Sequence, residues 1–147
     1  MKISFQPILL CALVLAWGCG QKQQDHEAHS HSDEKGANQQ LYDEVMSVHD
    51  EVMPKMDDLY KLKEHLKKQV ADSPQMTEEK KKKIESAILQ LDSASEGMMV
   101  WMRNFNPLPD SLGEEKARTY LEEQKVKVSK VKEDMLKAIE EGEALKE

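Results

Sequence analysis

The sequence predicts an all-α fold: a long antiparallel three-helix bundle with coiled-coil-like packing, preceded by a signal segment and a disordered tether. Apolar residues recur in steps of three and four from residue 41 onward, which is the spacing of one helical face. No stretch shows the strict alternation of a strand. The chain has six glycines and five prolines, and most of them lie outside the apolar stripes, where helices begin and end.

Residues 1–18 have the features of a bacterial lipoprotein signal peptide. Lys2 supplies a positive start, and an apolar run over residues 8–17 follows it. This run is too short to anchor the chain by spanning a bilayer. The run ends in "LAWGCG", which resembles a lipobox with Cys19 as the lipidated first residue of the mature chain. The alternative is an ordinary secretory cleavage site that leaves Cys19 as a thiol.

Lipidation of Cys19 would leave the mature protein without a free thiol, because Cys11 is removed with the apolar run. Disulfides, thiolate metal sites and cysteine nucleophiles are then excluded. Loss of 18 of the 147 residues leaves 129, about one domain. The mature charge is 20 minus 28, or −8, since only Lys2 is lost from the 21 basic residues. This acidic balance argues against nucleic-acid binding, which needs a positive surface.

Residues 19–40 are predicted to form a flexible lipidated tether. From residue 20 they contain no large apolar side chain, so the segment cannot bury enough surface to offset the entropy lost on ordering. Three histidines lie in it: His26, His29 and His31. A soluble spacer is the simpler interpretation, and weak binding of zinc, copper or nickel by these histidines is the alternative.

The bundle is predicted to span residues 41–147. The apolar stripe of its first helix consists of Leu41, Val45, Val48, Val52, Met56, Leu59, Leu62, Leu66 and Val70. The stretch "ADSPQMT" ends this stripe, and either Ser73 before Pro74 or Thr77 before two glutamates would begin the second helix.

The second stripe is the most regular one and consists of Ile84, Ile88, Leu91, Ser95, Met98, Met102 and Phe105. Pro107 and Pro109 end it, because proline cannot continue the helical hydrogen bonds. Ser111 and Glu114 then match a capping box for the third helix. The third stripe consists of Ala117, Leu121, Gln124, Val128, Val131, Met135 and Ala138, and Gln124 is its one polar residue.

Three helices of about 27 to 31 residues with short connections are expected to pack up-down-up. The alternative is an open helical hairpin that self-associates, so that a second copy completes the thin apolar stripes. Pro54 lies inside the first stripe and cannot donate to the carbonyl of Asp50, at a cost of about 3 kcal/mol in a helix interior. We therefore expect a kink, or a stop and restart, near residues 50–54.

Antiparallel pairing about a turn near residue 74 places residue i opposite roughly 148 − i, to within about one helical turn. The stretch "MMVWM" (98–102) then faces "VMSVHDEVMPKM" (45–56), at the level of Pro54. In one interpretation the methionines fill the gap that the proline makes, since methionine adapts to irregular spaces and packs well on aromatic rings. In another, the stretch is a docking face for a partner.

A third interpretation is a soft-metal site, because thioether sulfur and imidazole suit Cu(I) and a tryptophan face attracts a cation. The candidate ligands are Met46, His49, Met53, Met98, Met99 and Met102, beside Trp101. His49 is three residues after Met46 and four before Met53, so the three share a helical face. The residue types are similar to those of periplasmic copper chaperones, which are β-barrels.

Two lysine-rich stretches, "KLKEHLKK" (61–68) and "KKKK" (80–83), flank the predicted turn. A solvated face is the simpler interpretation, and contact with anionic lipid or an envelope polymer is the alternative. For catalysis, the sequence offers no HExxH motif, no Gly-rich loop after a strand and no recurring Glu-x-x-His pair, so we expect no enzyme activity.

The stretches "VMSVHDEVMPKMDDLYKLKEHL" and "MMVWMRNF" resemble a group of small uncharacterised helical lipoproteins of Gram-negative envelopes, sometimes labelled viral A-type inclusion proteins. The resemblance covers most of residues 41–140 and implies an envelope lipoprotein without implying a mechanism.

The expected function is a lipid-anchored, non-catalytic binding or scaffold module of the cell envelope, on the periplasmic or surface side of a bacterial membrane, with no required cofactor. Its partners would be the membrane, through Cys19, and an envelope protein or a second copy. The alternative is a periplasmic Cu(I)-binding protein that uses the methionine, histidine and tryptophan cluster.

Overall fold

The computed structural model describes residues 29–107 and 112–147, with side-chain burial from residue 36 onward. Its helices are α1 (His29–Val52), α2 (Lys55–Asp72), α3 (Glu78–Asn104) and α4 (Glu114–Glu143). These described residues contain no strand, and the helices pack on one another, as the predicted all-α class requires. No helix among them is long and apolar enough to cross a membrane. The predicted signal peptide, Cys19 and His26 lie outside the described residues.

α1 begins earlier than the apolar stripe that predicted it. Residues 29–40, predicted from the sequence as tether, are helical, and they include His29 and His31. Asn38 is only 4% exposed, and its Nδ2 donates to the backbone carbonyl of Glu114 at 2.9 Å. An amide thus fixes this part of α1 to α4. A search for large apolar side chains cannot detect such a contact.

The helix stops and restarts at Pro54, as its position in the first stripe predicts. α1 ends at Val52 and α2 begins at Lys55. The amide of Met53 still donates to the carbonyl of His49 at 2.9 Å, and Pro54 keeps helical angles of φ −60° and ψ −25°. α1 and α2 therefore form two halves of one arm, and α3 and α4 form the other two arms.

At the starts of α3 and α4, one sequence prediction is confirmed and one is wrong. Thr77 caps α3, because its hydroxyl accepts from the amide of Lys80. The capping box expected at the next start does not form, because Glu114 is the first residue of α4 and not its third. Gly113 precedes it with φ +85°, a left-handed angle that glycine adopts without strain.

Polar contacts fix the direction and register of the arms. The first arm and α4 are joined by Asn38–Glu114, Glu44–Lys125, Glu51–Lys132 and Gln69–Leu145. The sequence separations of these pairs stay between 76 and 81, so the two arms run parallel. α3 runs antiparallel to both, and Lys63 of α2 reaches Asp92 of α3 at 2.6 Å.

Two of these ion pairs shift the pKa of a side chain that takes part in them. The hydrogen bond from Lys125, together with its positive charge, lowers the pKa of the Glu44 carboxyl. The hydrogen bond to Asp92 raises the pKa of the Lys63 ammonium. Because these groups are exposed, water screens both pairs. They define which residues face each other more than they stabilise the fold.

The core is a continuous apolar seam between the arms. Its largest fully buried side chains are Leu59, Leu66, Ile84, Leu91, Met98, Leu121, Met135, Val45, Val52 and Val128. At the turn end, a Cβ added to Gly142 would lie 2.7 Å from Cδ2 of Leu62. α4 and α2 are thus in close contact near the turn.

Leu91→Ala is expected to lower the free energy of unfolding by about 2–5 kcal/mol, because it leaves a cavity in the core. Leu91 is 1% exposed, whereas Leu89 on the same helix is 70% exposed. Leu89→Ala is therefore the matched control and should change stability by less than about 0.5 kcal/mol. Urea unfolding followed by circular dichroism measures both, and equal effects would contradict the assigned face of α3.

Candidate functional site between α1 and α3

The residues singled out from the sequence meet where the ends of α1 and α3 lie side by side. The rings of His49 and Trp101 have centroids 5.7 Å apart and an interplanar angle of 36°. The two numbers sum to 150, close to the 148 that the hairpin register predicts. The backbone of α1 packs closely along α4, whereas α1 and α3 meet mainly through side chains. The place where side chains of α1 and α3 meet, here called the α1–α3 cleft, contains His49 and Trp101 of the predicted cluster.

A row of aromatic rings lines one side of this cleft. Phe105 stacks on Trp101 at 4.9 Å between centroids, and it lies 6.1 Å from Tyr42 and 6.3 Å from Tyr120. The rings come from α1, from α3 with the residue that follows it, and from α4. Each such pair is worth about 0.5–1.5 kcal/mol beyond the area it buries. Sequence reasoning missed Tyr42 and Tyr120, because neither falls on an apolar stripe.

Gln124 has a defined partner in this row. Trp101 Nε1 donates to Gln124 Oε1 at 3.0 Å, and both side chains are 6% exposed. An indole N–H can only donate, so once buried it needs an acceptor. The one polar residue on the third stripe is therefore the partner of the one tryptophan at this level. The pair fixes the edge of the indole against α4 and leaves a ring face toward His49.

The orientation of His49 is set by its neighbour. Its side chain is 17% exposed, and its Nδ1 lies 2.8 Å from Oδ1 of Asp50. Since an ionised carboxylate can only accept, Nδ1 carries the proton in the neutral ring and Nε2 keeps its lone pair. Glu51, the other acidic residue beside His49 in the sequence, forms an ion pair with Lys132 on α4 instead. His49 therefore lies mostly shielded beside Trp101, with one ring nitrogen that can accept.

The methionines separate into core and cleft residues. Met98 is fully buried in the core. Met53 and Met102 are partly buried and pack against the core, Met46 is half-buried, and Met99 is 38% exposed. Met46 and Met53 share the face of α1 that carries His49. Of the five predicted methionine ligands, Met98 alone is thus enclosed as core.

The cleft does not have the composition of a hard-metal site. Among the residues that the structure describes, no three or more His, Cys, Asp or Glu side chains come together in a way that could hold an ion. Methionine sulfur belongs to a different donor class, which soft ions prefer.

Two other surface features lie away from the cleft. An open groove of about 310 Å³ runs between α3 and α4, and small and charged side chains line it, among them Ser93, Gly97 and Asp134. Near the turn, five ion pairs engage lysines of the basic stretches: Lys61–Asp57, Lys63–Asp92, Lys67–Glu64, Lys80–Glu147 and Lys83–Glu79. These pairs favour a solvated face there.

Comparison of the chain with family models, curated proteins and solved structures gives no match.

Gln124→Leu is expected to lower the free energy of unfolding by about 1–3 kcal/mol, because it leaves the buried indole N–H without an acceptor. In a Trp101→Phe background the N–H is already absent, so the same change should cost clearly less. Urea unfolding of the wild type, both single variants and the double variant, followed by circular dichroism, gives the coupling energy. Equal costs of Gln124→Leu in both backgrounds would show that the hydrogen bond does not stabilise the fold.

Proposed function

We propose that the chain is a lipid-anchored helical protein of the bacterial cell envelope that acts as a non-catalytic binding or scaffold module. For the fold, we propose a long antiparallel three-helix bundle with coiled-coil-like packing. The observation that carries the proposal is the position of Cys19 in the sequence, shortly before the first helix of a helical rod. The lipobox-like "LAWGCG" places this cysteine ten residues before His29, where α1 begins.

The rod has the start of α1 at one end and the turn between α2 and α3 at the other. The Asn38–Glu114 contact brings the first turns of α4 beside the early part of α1. The Gln69–Leu145 contact brings the end of α4 beside the end of α2, next to the turn. From residue 29 to residue 72 the first arm spans about 65 Å at 1.5 Å per residue. An anchored Cys19 would therefore hold the lysine-rich turn several nanometres from its own membrane.

This arrangement supports a role in which the rod presents its lysine-rich tip to a partner. It does not support a role in which this tip contacts the membrane that anchors the chain. A basic tip at such a distance is far outside the range of that membrane's surface potential, which falls off within about 10 Å. A partner at the tip would be an envelope protein or polymer, or a second copy.

Cys19→Ser is expected to abolish incorporation of a clickable fatty acid into the protein, because the acceptor sulfur is lost. Cys11→Ser is the matched control and should keep the label, since Cys11 lies within the predicted signal peptide. The measurement is in-gel detection of the labelled protein after expression in a Gram-negative bacterium. An unlabelled wild type, or a labelled Cys19→Ser variant, would rule out the proposed anchor.

A further inference from the structure

We propose that the α1–α3 cleft binds one Cu(I) ion, through Nε2 of His49 and the thioether sulfurs of the surrounding methionines. This proposal deepens the proposed function, because it names the ligand class of the binding module and rests on that module being a binding protein. It uses only neutral soft donors that the fold brings to one level. A soft monovalent ion is the chemistry that such donors prefer.

His49 is the candidate metal ligand whose orientation the structure defines best. Asp50 holds Nδ1, and this is the arrangement in which a carboxylate orients a metal-binding imidazole and leaves its other nitrogen as the ligand. The ring lies against Trp101 and is mostly shielded from solvent. Filling of a gap accounts for methionines here but makes no use of an imidazole held in this way.

Methionines of both helices lie near His49 and Trp101 in the sequence. On the α1 side, Met46 and Met53 are one turn before and one turn after His49 on the same face. The backbone hydrogen bond from Met53 to the His49 carbonyl, at 2.9 Å, fixes the spacing of these two donors. On the α3 side, Met102 follows Trp101 directly, whereas Met99 is two residues before Trp101 and does not share its face. Met99 and the enclosed Met98 are therefore left out of the ligand set.

The remaining features of the cleft suit a soft cation and disfavour zinc. A single imidazole without a second histidine, a thiolate or a converging carboxylate is a poor zinc site. The face of Trp101 adds cation–π attraction, and its N–H edge is already held by Gln124, so the ring is fixed before the ion arrives.

The test is a Cu(I) titration of the full mature chain, residues 19–147, against a chromogenic Cu(I) chelator under anaerobic reducing conditions. Cys19→Ser removes the thiol and the lipid, so the outcome does not depend on the anchor. His26, His29 and His31 are changed to Gln in every sample, which keeps the start of α1 and removes the other histidine donors. We expect one ion per chain with a Kd tighter than about 1 μM, and quenching of Trp101 at the same stoichiometry.

Site variants and matched controls assign the binding to the cleft. His49→Gln and Met102→Leu should each weaken binding at least tenfold, and the second change conserves side-chain volume. His65→Gln on α2 and Met76→Leu at the turn remove the same donor types elsewhere and should leave the Kd unchanged. Circular dichroism melting of each variant verifies folding. Ag(I), a redox-inert soft ion, should compete for the site, and Zn(II) should not.

Several outcomes would overturn the proposal. One is the absence of stoichiometric binding in the chain without tether histidines. Another is binding that survives His49→Gln, and a third is equal loss of affinity in the His65→Gln control. Because every sample lacks the lipid, a negative result here leaves the fatty-acid labelling result, and the anchor it tests, unaffected.

Discussion

The packing of this protein depends on a buried hydrogen bond between an indole and an amide. Trp101 is enclosed where α3 approaches α4, and an indole N–H in such a place must find an acceptor. Gln124 provides it at 3.0 Å. An apolar seam alone tolerates a shift of the helices by a turn, but this pair would lose its partner on such a shift. The directional contact therefore sets which levels of the three arms meet, including the level at which His49 contacts the indole.

The spacing of apolar residues predicted the three arms. The antiparallel pairing of residue i with roughly residue 148 − i predicted which stretches of the first two arms face each other. The break at Pro54 followed from the missing amide hydrogen of proline. The early start of α1 was not predictable in this way. Asn38 is a polar side chain, and it holds this part of α1 through a hydrogen bond to a backbone carbonyl 76 residues away. Met98 and Met99 are indistinguishable by type, and only the packed arms show that one is enclosed and the other is exposed.

The interruption at Pro54 coincides with a change in the packing of the first arm. Before it, α1 follows α4, and after it, α2 packs against both α3 and α4. At the level of α1, side chains therefore make the contact with α3, as His49 does with Trp101. Methionine suits this place because its unbranched chain adapts to an irregular volume.

Gly142 sets how closely the helices approach at the turn end. The Cβ it lacks would lie 2.7 Å from Cδ2 of Leu62 on α2 and 3.4 Å from Cδ1 of Leu91 on α3. A side chain at residue 142 would therefore have to displace leucines of two helices at once. The close approach of three helices at this end thus depends on a residue that has no side chain, in the last turn of α4.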